Sequence, residues 1–178
     1  MTYPSFSVGE TLRSADMNAV GRWKIASGTF SGTLLSVSNC FTSDYSNYTL
    51  QFDNLFTPNG VRTMCIQLQN ASPSTSSYFW AGYYSTFAGG FGAANSTTSG
   101  MAYWVPTTAG TYSPCASTIE FYNPAQALKT NIVVSSINFD AGYHIGGYHD
   151  VATAYNGFRI FNVSNDTCNF RWALYGNK

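Results

Sequence analysis

Cys168-Asn169-Phe170-Arg171-Trp172-Ala173-Leu174 decides the fold class. Cys168, Phe170, Trp172 and Leu174 fall on one side of an extended chain, because successive side chains of a strand point to opposite faces. The same period of two recurs upstream. Tyr48, Leu50 and Phe52 alternate in Tyr48-Thr49-Leu50-Gln51-Phe52, and Met64, Ile66 and Leu68 alternate in Arg62-Thr63-Met64-Cys65-Ile66-Gln67-Leu68. Turn signals separate such runs: Pro58-Asn59-Gly60, Ala109-Gly110, Gly146-Gly147 and Asn156-Gly157. Many short strands divided by turns predict an all-β chain, a single antiparallel β-sandwich of jelly-roll-like form. The sandwich should occupy residues 23–178, and nothing indicates a linker or a second domain.

Residues 1–22 carry a different pattern. Ser14 is a suitable N-cap, Asp16 lies in the first turn where the helix dipole favours an anion, and Gly21 can close the helix. Leu12, Met17 and Val20 share one side. Such a helix is too short to be stable alone. It is expected to dock, with Leu12, Ser14, Asp16, Met17 and Val20 as attachment residues.

Composition narrows the partners. With 178 residues and 44% hydrophobic residues the chain can bury one core. Charged residues amount to only 9%, against about 25% in an ordinary domain, while aromatics reach 17%. The net charge is zero, with no cluster of Lys or Arg, which argues against nucleic acid and anionic membranes as partners. No apolar run approaches the length of a membrane span, and no signal peptide is evident, so synthesis in a cytoplasm without export is expected. Cys40, Cys65, Cys115 and Cys168 are widely spaced and lack the close spacing of zinc ligands; Cys65 and Cys168 read as buried free thiols. No cofactor is expected.

Thr130-Asn131-Ile132-Val133-Val134-Ser135-Ser136-Ile137-Asn138-Phe139 is apolar on both faces. Either it is a central strand covered on both sides, or its outer face meets another subunit. Val133, Ile137 and Phe139 are the candidate subunit contacts.

Three groups of residues could carry chemistry. Tyr78-Phe79-Trp80-Ala81-Gly82-Tyr83-Tyr84-Ser85-Thr86-Phe87, with Tyr103-Trp104 beyond, forms an aromatic belt. Sugars present C–H faces to rings and hydroxyls to amides, so Tyr78, Trp80, Tyr84 and Trp104 are candidates for glycan contact or for a subunit interface. Tyr78, Trp80 and Tyr84 should face one way and Phe79, Tyr83 and Phe87 the other, with one set in the core. His144 and His149, near Asp140 and Asp150, form the one weak metal-ligand candidate, in a glycine-rich segment expected to be a loop. Catalytic motifs are missing: there is no G-x-S-x-G and no H-E-x-x-H, and a carboxylate pair would have to combine Glu120 with Asp140 or Asp150. The chain therefore reads as non-enzymatic, with no catalytic residues assigned.

Val8-Gly9-Glu10-Thr11-Leu12 and Ala15-Asp16-Met17-Asn18-Ala19-Val20 resemble the start of tailed-bacteriophage tail-fibre, minor tail and head-fibre proteins. Gly21 to Phe30 is similar to the first strand of their β-domain, and Ala154 to Phe161 and Trp172 to Gly176 resemble its last two strands. The resemblance implies a virion-surface structural protein: a short fibre, adhesin or decoration subunit. It also implies a homotrimer attached to other virion proteins through the N-terminal segment, with host-surface glycan as a possible ligand. A free carbohydrate-binding module is the alternative from a different class, and a polysaccharide hydrolase with a site between subunits is a further one.

Overall fold

The computed structural model describes residues 21–58, 62–105, 115–138 and 140–178. The attachment residues Leu12, Ser14, Asp16, Met17 and Val20, the helix expected around them, and Phe139 lie outside the described residues.

Twelve strands make up the described chain. They are β1 (Arg22–Gly32), β2 (Leu34–Val37), β3 (Asn47–Phe56), β4 (Arg62–Gln69), β5 (Tyr78–Thr86) and β6 (Phe91–Thr98), then β7 (Met101–Val105), β8 (Ala116–Tyr122), β9 (Thr130–Ile137), β10 (Ala141–His149), β11 (Gly157–Asn162) and β12 (Cys168–Asn177). All pairings are antiparallel. One sheet has eight strands in the order β1-β12-β3-β8-β9-β10-β5-β6, and the other has four in the order β2-β11-β4-β7.

The pairs are nested. β1 pairs with β12, β2 with β11, β3 with β8 and β4 with β7, so the chain runs inward through four strands and returns beside each. Two hairpins interrupt this plan: β5–β6 between β4 and β7, and β9–β10 between β8 and β11. They join through the β10–β5 ladder and widen the larger sheet on one side.

Alternation in the sequence produces the core between the sheets. Tyr48, Leu50 and Phe52 of β3, Ile119 and Phe121 of β8, Ile132 and Val134 of β9, and Phe170 and Leu174 of β12 are all buried from the larger sheet. Met64, Ile66, Leu68, Phe158 and Ile160 meet them from the smaller sheet in one cluster. In β4 the opposite face is buried too, because Cys65, Gln67 and Gln69 are covered. The amides there are satisfied: Gln67 accepts from Arg159 Nε and donates to the Ser99 carbonyl, and Gln69 Nε2 donates to Val37 O at 3.2 Å. All four cysteines are buried and free.

The segment Asp140 to Asp150 is not the loop its glycines suggest. It forms β10, hydrogen-bonded to β9 on one side and β5 on the other, and Gly146-Gly147 lies mid-strand. A turn needs residues that leave the ladder, whereas here Gly146 and Gly147 both keep partners: Ala81 and Val133, and Trp80 and Ile132. At Gly147 the reason is close approach, since a Cβ would lie 2.5 Å from the Phe79 carbonyl oxygen.

Candidate functional site

The outer face of the larger sheet begins with the phase of β10. Tyr143, Ile145 and His149 turn inward and are buried, leaving Gly142, His144, Gly146 and Tyr148 outward, so glycines alternate with rings. The register extends each of these positions into a row across neighbouring strands. Tyr148 sits opposite Phe79 of β5 and Asn131 of β9, and Phe79 opposite Thr97 of β6. His144 sits opposite Tyr83 and Ser135, and Tyr83 opposite Ala93. Between these rows runs a third, made of Asn95, Ala81, Gly146 and Val133.

Side-chain size along the rows makes the relief. Phe79 and Tyr148 stack, with ring centroids 5.2 Å apart and planes 13° from parallel. Tyr83 lies 5.8 Å from the His144 ring and 5.9 Å from the Phe91 ring. Strand residues advance about 3.3 Å each, so the Phe79 and Tyr83 positions stand about 13 Å apart along β5. The floor between them carries only Ala81 and Gly146 on the two central strands. The result is a trough of about 730 Å³ lined by Phe79, Ala81, Asn95, Thr97, Gly146 and Tyr148. A second, of about 420 Å³, lies over Gly142 beyond the Tyr83–His144 ridge.

The electrostatics of this face are plain. None of the residues lining the two troughs is Lys, Arg, Asp or Glu. Glu120 stands at the far end of the floor row, opposite Val133, where its carboxylate accepts the Tyr122 hydroxyl at 2.5 Å. That bond to the carboxylate raises the Tyr122 pKa.

The candidates from the aromatic belt divide between the faces of β5. Tyr78 and Trp80 are buried on the inner face, which corrects their assignment as ligand contacts. The Tyr78 hydroxyl accepts from the Leu68 N–H at 2.7 Å and donates to the Ser74 carbonyl at 3.2 Å, the partners a buried phenol needs. Tyr84 is half-buried, with its ring 5.7 Å from that of Tyr143. The backbone of Trp104 pairs with Thr63 in β7; its side chain lies outside the described residues. The rings that reach solvent are Phe79, Tyr83 and Phe87 of the opposite set, with Phe91 and Tyr148 beside them. Both sets are aromatic, so alternation alone could not say which one faced the core, and the contribution of Tyr148 was hidden in a presumed loop.

Val133 and Ile137 do lie on the outer face. Ile137 is 48% exposed and Val133 half-buried, so β9 is central in its sheet but covered by the core on one side alone.

His144 and His149 differ in parity and point to opposite faces of β10, which overturns their pairing as metal ligands. His144 is exposed, with Nδ1 3.1 Å from Ser135 Oγ. His149 is fully buried. Its Nε2 lies 3.1 Å from the Ser76 carbonyl and 2.8 Å from Ser74 Oγ, and its Nδ1 lies 3.2 Å from the Tyr155 hydroxyl. The cluster ties the end of β10 to the 74–77 segment. Asp150 is engaged by Lys129. Among the described residues, no three His, Cys, Asp or Glu side chains converge on a metal position, and no helix is long and apolar enough to cross a membrane.

Compared with known proteins, the chain matches no family model, and no curated protein matches it.

Proposed function

We propose that this chain is a non-enzymatic virion-surface subunit of a tailed bacteriophage: a short fibre, adhesin or decoration protein that works by binding. The observation carrying this reading is the β5–β10 part of the outer face of the larger sheet, which offers exposed rings, amides and hydroxyls with no charged group lining the Gly146 and Gly142 troughs. Such a surface suits a neutral, hydroxyl-rich ligand such as a host-surface glycan. The nested strand pairs support a jelly roll, an architecture common to viral capsid and lectin domains. The terminal motifs that resemble phage fibre proteins support the virion context, and residues 1–22 would be the attachment segment.

In this reading three copies associate, and the exposed Ile137 and half-buried Val133 lie within the contact between them. Light scattering at two concentrations tests the assembly: a mass near three times 19.4 kDa is expected. Removing residues 1–20 should leave a folded domain that no longer joins the particle; continued incorporation would refute the attachment role.

A free carbohydrate-binding module is the second reading. It is favoured by the completeness of the Gly146 trough within one chain, since every lining residue comes from β5, β6 and β10. A monomer that binds glycan would bring this reading to the front.

A further inference from the structure

The geometry points to the trough over Gly146 as the site of a neutral pyranose unit, seated beside the Phe79–Tyr148 pair. This rests on the glycan-binding reading above.

Gly146 is the first argument. A glycine inside a central strand costs backbone entropy and contributes no side chain to packing, so it usually marks a place where something approaches closely. At Gly82 and Gly147 that something is protein: a Cβ would lie 2.6 Å from the His144 carbonyl oxygen and 2.5 Å from the Phe79 carbonyl oxygen respectively. At Gly146, as at Gly142 over the smaller trough, a Cβ would meet no heavy atom within 4 Å; Gly146 is the one beside the Phe79–Tyr148 stack. Neither packing nor a positive φ calls for glycine at this position. What the missing side chain does is keep the floor open beside the Phe79–Tyr148 stack.

The lining sets the ligand's chemistry. A purely apolar ligand would leave Asn95 and Thr97 unused, and an anionic one would find no cation in the trough. A pyranose satisfies both kinds of wall. Its C–H face lies against the rings of Phe79 and Tyr148, and its hydroxyls reach the Asn95 amide and the Thr97 hydroxyl at the β6 end.

The test is a printed glycan array carrying neutral and sialylated oligosaccharides, followed by titration of the best neutral oligosaccharide against the full chain. Gly146→Val, Tyr148→Ala and Gly142→Val are compared, each with its thermal melt recorded. Valine suits a strand, so Gly146→Val should fold while filling the trough. The expected result is binding of a neutral glycan that weakens at least tenfold in Gly146→Val and Tyr148→Ala and stays within twofold in Gly142→Val. If the folded Gly146→Val binds like the unaltered chain, the site lies elsewhere: the inference falls and the glycan reading stands. Binding of sialylated glycans alone has the same meaning. If no glycan binds the unaltered chain, both fall.

Discussion

Phe121 of β8 and Phe158 of β11 meet across the two sheets, with ring centroids 5.9 Å apart and planes 28° from parallel, and neither is exposed to solvent. Phe41 joins them from the segment after β2, 5.2 Å from Phe121 and 5.8 Å from Phe158. The trio couples the sheets where no backbone hydrogen bond can. Phe158→Ala should therefore cost about 3–5 kcal/mol, the range for emptying a well-packed aromatic site. Chemical denaturation checks this; a loss below about 1 kcal/mol would mean that the sheets are held together elsewhere.

His149 makes stability depend on pH. Burial lowers its pKa from the ordinary 6.5, outweighing the bonds to Ser76 and Val151 and the nearby Asp150 carboxylate, which act in the opposite direction. The folded state thus holds the imidazole neutral where the unfolded chain would bind a proton. That contribution is fully present above pH 6.5 and is lost as the pH falls through the lower folded value. Thermal melts between pH 8 and pH 5 should show the midpoint falling on the acid side. In His149→Gln the fall should be smaller; an equal slope would assign the acid sensitivity to carboxylates.

The neighbours Gly146 and Gly147 should respond oppositely to a side chain. Gly146→Val adds a strand-favouring residue over open space and should stabilise the fold by about 0.5–1 kcal/mol. Gly147→Ala drives a Cβ against the β5 backbone and should destabilise it by about 1–3 kcal/mol. Differential scanning calorimetry of the two variants separates them, and the same sign for both would contradict the placement of β10.

Much of this architecture was legible because the core strands obey a period of two. Leu50, Ile66 and Leu174 are each fully buried at the phase that alternation assigns them, and the turn-separated runs pointed to antiparallel sheets. What could not be seen is physical in origin. Gly142, Gly146 and Gly147 hid β10, since glycine signals a turn locally while neighbouring strands can hold it in a ladder. With β10 taken as a loop, Tyr148 could not be placed beside Phe79, and neither the aromatic wall of the trough nor its Gly146 floor could be assembled. In β5 both faces are aromatic, so choosing Tyr78 and Trp80 over Phe79 and Tyr83 required knowledge of which face the smaller sheet covers. The two histidines looked like neighbours because they stand only five positions apart in sequence; the odd spacing sends them to opposite faces.

The cysteines make a last, quantitative case. Burial pushes the thiols of Cys40 and Cys115 up to about 12 and those of Cys65 and Cys168 to about 11. At pH 8 the thiolate is then at most about one part in a thousand for any of them, and the thiolate is the reacting species. A disulfide reagent at pH 8 should accordingly find almost no reactive thiol in the native protein and four after unfolding in denaturant. Because these folded values lie above the ordinary 9.0, the folded chain binds more protons than the unfolded one in alkaline solution. The associated stability is intact below pH 9 and is lost as the pH rises toward the folded values. Labelling at pH 8 should proceed only as fast as the protein opens, so its rate should rise in Phe158→Ala in step with the loss of stability, provided opening and closing outpace the reagent. Rapid labelling of one thiol in the unaltered native protein would show that at least one of these sulfurs is reached without unfolding, against the closed core described above.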